Sequence, residues 1–148
     1  MPRGSHMTTR YGGLNGSFSL QIEEFQKKAL EAIGQTFKDV VIQVGETLIN
    51  LSPVDTGRFK ANWHASLDRV EPATFDDYDK EGDETIASLI AAFNDLQPGQ
   101  TVYIVNNLAY AIPLEYGHSQ TQAPAGMVRL TVAQFQKIVR EAVEKNRI

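Results

Sequence analysis

The chain has 148 residues, 42% of them hydrophobic, and a formal net charge of −4. It contains no cysteine, which excludes disulfides, thiolate metal sites and cysteine nucleophiles. There is no run of about eighteen apolar residues and no clustered basic stretch, so we predict a single domain with no membrane-spanning helix and no sequence-specific binding of nucleic acid.

The first residues are predicted to lie outside the folded domain. Residues 1–7, M-P-R-G-S-H-M, are typical of the remnant of a cleavable purification tag and are set aside. Residues 8–17 contain three glycines and few apolar side chains, which is typical of a flexible arm. The single folded domain is then expected to cover residues 18–148.

A long amphipathic helix is predicted next. Apolar residues recur at intervals of three and four from Ile22 to Leu51. We expect Ser19 to cap the start of this helix. Pro53 should end it, because a residue before proline, here Ser52, is disfavoured in helical geometry. At about 1.5 Å per residue the helix would be about 48 Å long.

A strand with one buried face is predicted after this helix. Apolar and polar residues alternate from Phe59 to Asp68, and a period of two is the spacing of a half-buried strand. His64 falls on the polar side of this pattern, so we expect it to be exposed to solvent.

Residues 71–97 are interpreted as an acidic insertion that carries a short helix. Residues 71–84 include seven acidic residues and one lysine. Asp77, Asp79 and Glu81 have the spacing of a calcium loop, but Ser88 stands where the loop needs a bidentate glutamate. We therefore expect a solvated loop without a metal. Apolar residues at helical spacing from Ile86 to Leu96 predict the short helix.

The remaining elements complete an α+β pattern. Residues 101–105, T-V-Y-I-V, are apolar on both sides and predict a central strand covered on both faces. A single helical turn is predicted from Pro113 to Gly117. Residues 128–143 predict a C-terminal helix, although its first residues are equally compatible with a strand. The predicted fold is a long N-terminal helix and a C-terminal helix packed on a small antiparallel sheet, with a short inserted helix.

The triplet Asp55-Thr56-Gly57 is the one on which aspartic proteases are built. That mechanism needs two carboxylates that share a proton, so a chain with one triplet would have to dimerise. Ser52-Pro53 stands where an apolar strand is needed, and Arg58 is expected to hold the aspartate ionised. We favour a structural corner, in which Asp55 accepts a backbone N–H two residues on and Gly57 supplies a positive φ.

Other catalytic or metal sites have weak support in the sequence. Glu115 and His118 could form an acid–base pair, and Ser119 is adjacent, but no motif for an activated nucleophile accompanies them. His64 and His118 are too far apart in sequence to suggest a metal site. We therefore interpret Glu115 and His118 as polar residues in a turn, and we expect neither metal nor cofactor.

The order of the motifs resembles a known family. A long helix leads into S-P-V-D-T-G, then V-Y-I-V-N-N-L-A-Y-A-I-P-L-E-Y-G follows, and Q-A-P-A-G precedes a closing helix. This order resembles the tail-component family of long-tailed bacteriophages, the lambda Z-like tail completion or head–tail joining proteins. The matching residues are Ser52, Pro53, Asp55, Thr56, Gly57, Asn106, Tyr110, Ala111, Glu115, Gly117 and Pro124. The family's small hydroxyl residue after the last glycine is replaced here by His118-Ser119.

The resemblance implies a non-enzymatic structural protein of the virion. It would be assembled in the bacterial cytoplasm and act at the neck, in tail completion and head–tail joining. The implied partners are copies of itself in a ring such as a hexamer, tail tube or terminator proteins, and head connector proteins. The implied structural motif consists of Asp55, Thr56, Gly57, Asn106, Tyr110, Glu115, Gly117 and Pro124. Two alternatives stay open, a dimeric aspartic protease that uses Asp55 and an adaptor domain that binds a host protein.

Overall fold

The computed structural model describes residues 17–116 and 126–147, and it has the predicted α+β architecture. In chain order the elements are α1 (Phe18–Leu51), α2 (Arg58–Ala61), β1 (His64–Leu67), α3 (Asp83–Ala92), β2 (Val102–Val105), α4 (Ala111–Glu115), α5 (Val128–Ala133) and α6 (Phe135–Lys145). The predicted tag remnant, residues 8–16 of the predicted arm, and the residues Gly117, His118, Ser119 and Pro124 lie outside the described residues.

The long first helix is confirmed, with a different first turn. α1 has 34 residues and is therefore about 50 Å long. Its cap is Ser17 rather than Ser19, because the Ser17 hydroxyl accepts a hydrogen bond from Leu20 N at 3.2 Å. Its end is the predicted one: Ser52 has an extended backbone, with φ −73° and ψ 138°, and Pro53 follows.

The predicted strand from Phe59 to Asp68 is wrong in its first half. Arg58–Ala61 forms the helical turn α2, and only His64–Leu67 is a strand. Phe59 and Trp63 lie four residues apart. This spacing puts two side chains on the same face of a strand and also on the same side of a helical turn. Both are buried, with their rings edge to face at 5.9 Å. The same apolar residues therefore satisfy either period, and the turn is selected by its contacts with the rest of the fold.

The sheet is smaller than predicted. β1 and β2 pair antiparallel, with His64 opposite Val105 and Leu67 opposite Val102. In the part of the chain that the structure describes, the sheet has these two strands, so β2 is not a central strand. His64 is half-buried rather than exposed, because its ring nitrogens lie 3.0 Å from Asn62 O and 2.9 Å from Glu71 O.

The C-terminal part is helical, which confirms the helix and excludes the strand that its first residues also allowed. Pro113 lies within α4 instead of starting it, since α4 begins at Ala111. The C-terminal helix is divided at Gln134 into α5 and α6. α6 packs beside α1, where the Asn146 amide donates to Asp39 Oδ2 at 2.7 Å.

The hydrophobic core lies between α1, α3, the sheet and the start of α5. Its buried side chains are Val41, Leu48, Ile49, Phe59, Trp63, Leu89, Phe93, Leu96, Leu108 and Met127. α3 reaches α1 closely at Gly45, where a Cβ would lie 2.6 Å from Leu89 Cδ1. The predicted acidic insertion therefore supplies part of the core. Among the described helices, none is both long and apolar enough to cross a membrane.

Candidate functional site

The end of α1 brings several motif residues together around a small hollow. The hollow has a volume of about 270 Å³, and we call it the corner hollow. Its lining residues are Pro53, Val54, Asp55, Thr56, Gly57, Arg58, Phe59, Tyr110 and Leu114. Asn106 and Glu115 flank this set, because Asn106 bonds to Phe59 and Glu115 follows Leu114 in α4. The structure thus places six of the eight predicted motif residues at or beside one corner of the fold.

Gly57 is the point at which the chain turns from α1 into α2. Its φ is +88°, the left-handed region that favours glycine, as predicted. A Cβ at this position would lie 2.6 Å from Lys80 N and 2.7 Å from Asp79 N. The Gly57 carbonyl accepts hydrogen bonds from Asp79 N at 3.0 Å and Ala61 N at 3.1 Å. Glycine is therefore required both by the backbone angle and by the acidic segment that crosses it.

The role predicted for Asp55, accepting a backbone N–H across the turn, is filled by Thr56 instead. The hydrogen bond across the turn is accepted by the Thr56 hydroxyl, from Arg58 N at 3.3 Å. Asp55 is exposed, and among the described residues no backbone N–H donates a hydrogen bond to its carboxylate. Arg58 pairs with Asp76 at 4.0 Å rather than with Asp55. The corner is thus held by Thr56 and Gly57, and Asp55 faces solvent at the edge of the corner hollow.

Asn106 and Tyr110 connect the end of β2 to α2. The Asn106 amide donates to Phe59 O at 2.8 Å, and its carbonyl accepts from Leu108 N at 3.3 Å. The Tyr110 ring lies 5.7 Å from the Phe59 ring. Both motif residues therefore act on α2, the element whose position the alternating pattern did not predict.

Glu115 caps the first turn of α5, which begins thirteen residues later in the chain. Its carboxylate accepts hydrogen bonds from Met127 N and Val128 N at 2.8 Å and from Arg129 N at 2.9 Å. The Arg129 guanidinium adds a bond from Nε at 3.1 Å and another to the Glu115 carbonyl. Gly126, with φ +82°, leaves room for the carboxylate, since a Cβ there would collide with it. The first N–H groups of a helix have no partner within the helix, and Glu115 supplies one.

The electrostatics of Glu115 follow from this cap. Burial alone raises the pKa of the carboxyl, but the N–H groups of Arg129, Val128 and Met127 outweigh it and hold the pKa below its ordinary value of 4.5. Glu115 is therefore ionised at neutral pH. Its hydrogen-bonding positions are occupied by backbone groups, which argues against its use as a proton donor in an acid–base pair.

A second, half-buried carboxylate that caps a helix lies in the acidic segment. Asp79 accepts hydrogen bonds from Gly82 N at 3.0 Å and from Thr85 N and its hydroxyl, both at 2.9 Å. Burial raises the pKa of Asp79, but these bonds hold it below its ordinary value of 3.8. The predicted solvated loop is thus only partly solvated, because one of its carboxylates is committed to the start of α3.

Several residues that hold the site were not predicted from the sequence. Asn62 is fully buried, accepts from Phe75 N at 2.7 Å and donates to Phe75 O at 2.9 Å. It also donates to Arg58 O at 2.8 Å, but the two bonds to Phe75 span thirteen residues, so no local pattern marks them. Asp79 is also missed by the usual helix start signal, because the N-cap of α3 is Gly82 and Asp79 lies three residues before it. Arg129 carries no such signal.

Within residues 17–116 and 126–147, no three side chains of the metal-binding types converge on one point. The polar motif residues Asn106 and Glu115 are engaged with backbone groups. Comparison with known protein families, with curated proteins and with solved structures found no match. The motif residues and the exposed surfaces are therefore the basis for a functional proposal.

Proposed function

We propose that this chain is a non-enzymatic structural protein of the virion of a long-tailed bacteriophage. It would act in tail completion and head–tail joining at the neck. It would do so through ring-type self-assembly and through contacts with neighbouring tail and connector proteins. The basis for the phage assignment is the resemblance of the motif order, from S-P-V-D-T-G to the proline-led closing helix.

The use of the motif residues supports a structural role. Gly57 lets the acidic segment cross the corner, Asn106 holds α2, and Glu115 caps α5. A catalytic carboxylate needs a free position for the proton or nucleophile that it serves. Glu115 has its oxygens filled by neighbouring N–H groups, so it suits a fixed joint between elements better than a reaction centre.

The observation that carries self-assembly is the exposed apolar surface of α1. Six large apolar residues in its first half are each more than two-fifths exposed: Phe18, Leu20, Ile22, Phe25, Leu30 and Ile33. Phe18, Ile22, Phe25 and Ile33 of this set share one face of the helix, and monomeric proteins seldom expose a contiguous apolar patch of more than a few hundred Å². A larger exposed patch is typical of a protein–protein interface, and a subunit of a ring presents such a surface to its neighbours.

Two measurements together test this function. Light scattering of the purified chain over a range of concentrations should show an oligomer that grows with concentration, and electron microscopy should show closed rings. Antibody labelling of virions from the phage that encodes the chain should place it at the junction of head and tail. A chain that is monomeric at every concentration and absent from the virion would refute the proposal.

A further inference from the structure

An apolar groove runs along α1 between β2 and α6. It has a volume of about 560 Å³, and we call it the side groove. It is lined by Phe37, Val40, Val41, Val44, Gln100, Thr101, Val102, Ile104, Phe135 and Val139. None of these side chains is charged. Phe37 also lines an adjoining hollow of about 520 Å³, in which Ile33 and Val143 take part, so the apolar surface continues along α1.

The first half of α1 has an uncharged, apolar face that matches the lining of this groove in chemistry. We call Phe18–Ile33 the leading segment. At about 100° per residue, its apolar residues Phe18, Ile22, Phe25, Ala29 and Ile33 fall within an arc of about 80°. Its charged residues lie on the other side of the helix: Glu23, Glu24, Lys27, Lys28 and Glu31. The leading segment therefore presents an uncharged face to a groove whose lining is also uncharged.

The leading segment cannot fill the side groove of its own molecule. Phe37, Val40 and Val44 form the floor of the groove, and they continue the same unbroken helix as the leading segment. A helix is a stiff rod, so residues 18–33 could reach residues 37–44 only if α1 broke between them. The segment can enter only the groove of another molecule, and a second copy of this chain supplies it.

The size of this contact fits a subunit of an assembly. The leading segment is about 24 Å long, and covering one side of it would bury roughly 400 Å² on each copy. A single contact of this size is well below the roughly 800 Å² per partner of a stable pair. In a closed ring each copy makes two such contacts, one through its leading segment and one through its side groove.

We propose that the leading segment of one copy docks in the side groove of the next copy, so that the copies join head to tail. This inference rests on the proposed function, because it names the surfaces through which the chain would self-assemble. The donor and acceptor surfaces differ, so the contact is heterologous, and it generates a ring if the rotation between copies closes.

A pair of complementary variants tests the proposal. Ile22→Glu changes the leading segment at a residue that is 46% exposed, and Phe135→Glu changes the side groove at a residue that is 47% exposed. The matched control is Ile90→Glu on α3, where the residue is 40% exposed but belongs to neither surface. Each full-length variant is compared with the wild type by sedimentation velocity, from about 10 to about 500 μM.

We expect each surface variant to associate at least about thirtyfold more weakly than the wild type, and Ile90→Glu to associate like the wild type. An equimolar mixture of the two surface variants should form a weak one-to-one dimer, seen at the upper end of this concentration range, that grows no further. Such a mixture holds one intact leading segment and one intact side groove, which permits a single contact. Circular dichroism and thermal unfolding confirm that each variant is folded, and Thr101→Lys, at an exposed residue of the side groove, replaces Phe135→Glu if the latter is not.

The contrary outcomes separate this inference from the proposed function. A mixture that stays monomeric even at about 500 μM overturns head-to-tail docking, and Phe135→Glu that self-associates like the wild type while Ile22→Glu does not points to a symmetric pairing of α1 helices. Surface variants that assemble like the wild type also overturn it, but they leave self-assembly and the proposed function in place. A wild type that remains monomeric at every concentration refutes both.

Discussion

Single residues at the corner of the fold contribute separately to its stability, and Gly57 shows this most clearly. We expect Gly57→Ala to destabilise the fold by about 3 kcal/mol or more. A left-handed backbone costs alanine about 1–2 kcal/mol, and the overlap of its Cβ with Lys80 N adds a packing cost of about 1–3 kcal/mol. Urea denaturation of the wild type and the variant measures the difference.

Gly99→Ala is the matched control for this substitution. Gly99 has φ +95°, but a Cβ there would have nothing within 4 Å. Its substitution should therefore cost only the backbone part, about 1–2 kcal/mol. Equal costs at the two positions would mean that the acidic segment does not press on Gly57.

The carboxylate of Glu115 should contribute to stability through its charge and its hydrogen bonds. Glu115→Gln keeps the shape of the side chain but turns an N–H donor toward the N–H groups of α5. We expect a loss of about 1–3 kcal/mol in the free energy of unfolding. Glu144→Gln is the control, because Glu144 forms an exposed ion pair with Arg147 at 2.8 Å. Exposed pairs of this kind contribute at most about 1 kcal/mol.

The cost of Glu115→Gln should also depend on pH. The pKa of Glu115 in the folded state lies below its ordinary value of 4.5, so the unfolded chain takes up the proton first. The contribution of the charged carboxylate is then complete at neutral pH and is lost as the pH falls below about 4.5. Denaturation curves from neutral to acid pH should show wild type and variant converging, and a difference that stays constant with pH would contradict the charged cap.

Asp55 provides the test of the protease alternative. It is exposed and lines the corner hollow, while Thr56 holds the turn. We expect Asp55→Asn to change the free energy of unfolding by no more than about 0.5 kcal/mol, as for most surface substitutions. Thr56→Val should cost more, because it removes the bond to Arg58 N. Peptide cleavage at acid pH that disappears in Asp55→Asn would instead support a dimeric protease.

At the level of helices and strands, the acidic segment is joined to the core through α3. Asp79 accepts the N–H groups of Gly82 and Thr85, so Asp79→Ala should cost about 1–2 kcal/mol. Amide hydrogen exchange should become faster in the first turn of α3. Asp77→Ala is the control, since Asp77 is exposed in the same segment and should have little effect. Equal exchange in the two variants would show that Asp79 does not hold this helix.

The elements that could be predicted from the sequence are those in which the spacing of apolar residues fits only one type of secondary structure. α1 repeats its apolar residues over many turns, and α3 and β2 lie between clear turn signals. α2 could not be predicted, because Phe59 and Trp63 fit both a strand and a helical turn. The choice between them depends on bonds that Asn62 makes to Phe75 and Asn106 makes to Phe59, which are distant in sequence. The role of Glu115 was hidden for the same reason, since its backbone partners begin twelve residues later.

At the scale of the whole molecule, the acidic surface and the apolar surfaces predict different responses of assembly to salt. Residues 71–84 are strongly acidic, whereas the leading segment presents an uncharged face and the side groove has no charged lining. An interface that depended on the acidic segment would weaken by tenfold or more on a large increase in salt, because ions screen exposed charges. An apolar interface lacks these charge contacts, and excluded salts such as sulfate strengthen it.

We therefore expect assembly of the wild type to be nearly independent of sodium chloride and to be strengthened by sulfate. Between about 50 and about 500 mM sodium chloride, the dissociation constant should change by less than about threefold. Calorimetric dilution at several temperatures should give a negative heat-capacity change of association, which is the thermodynamic mark of buried apolar surface. A tenfold weakening by sodium chloride with no heat-capacity change would move the interface to residues 71–84. It would also leave the exposed apolar residues of α1 without a role in self-assembly.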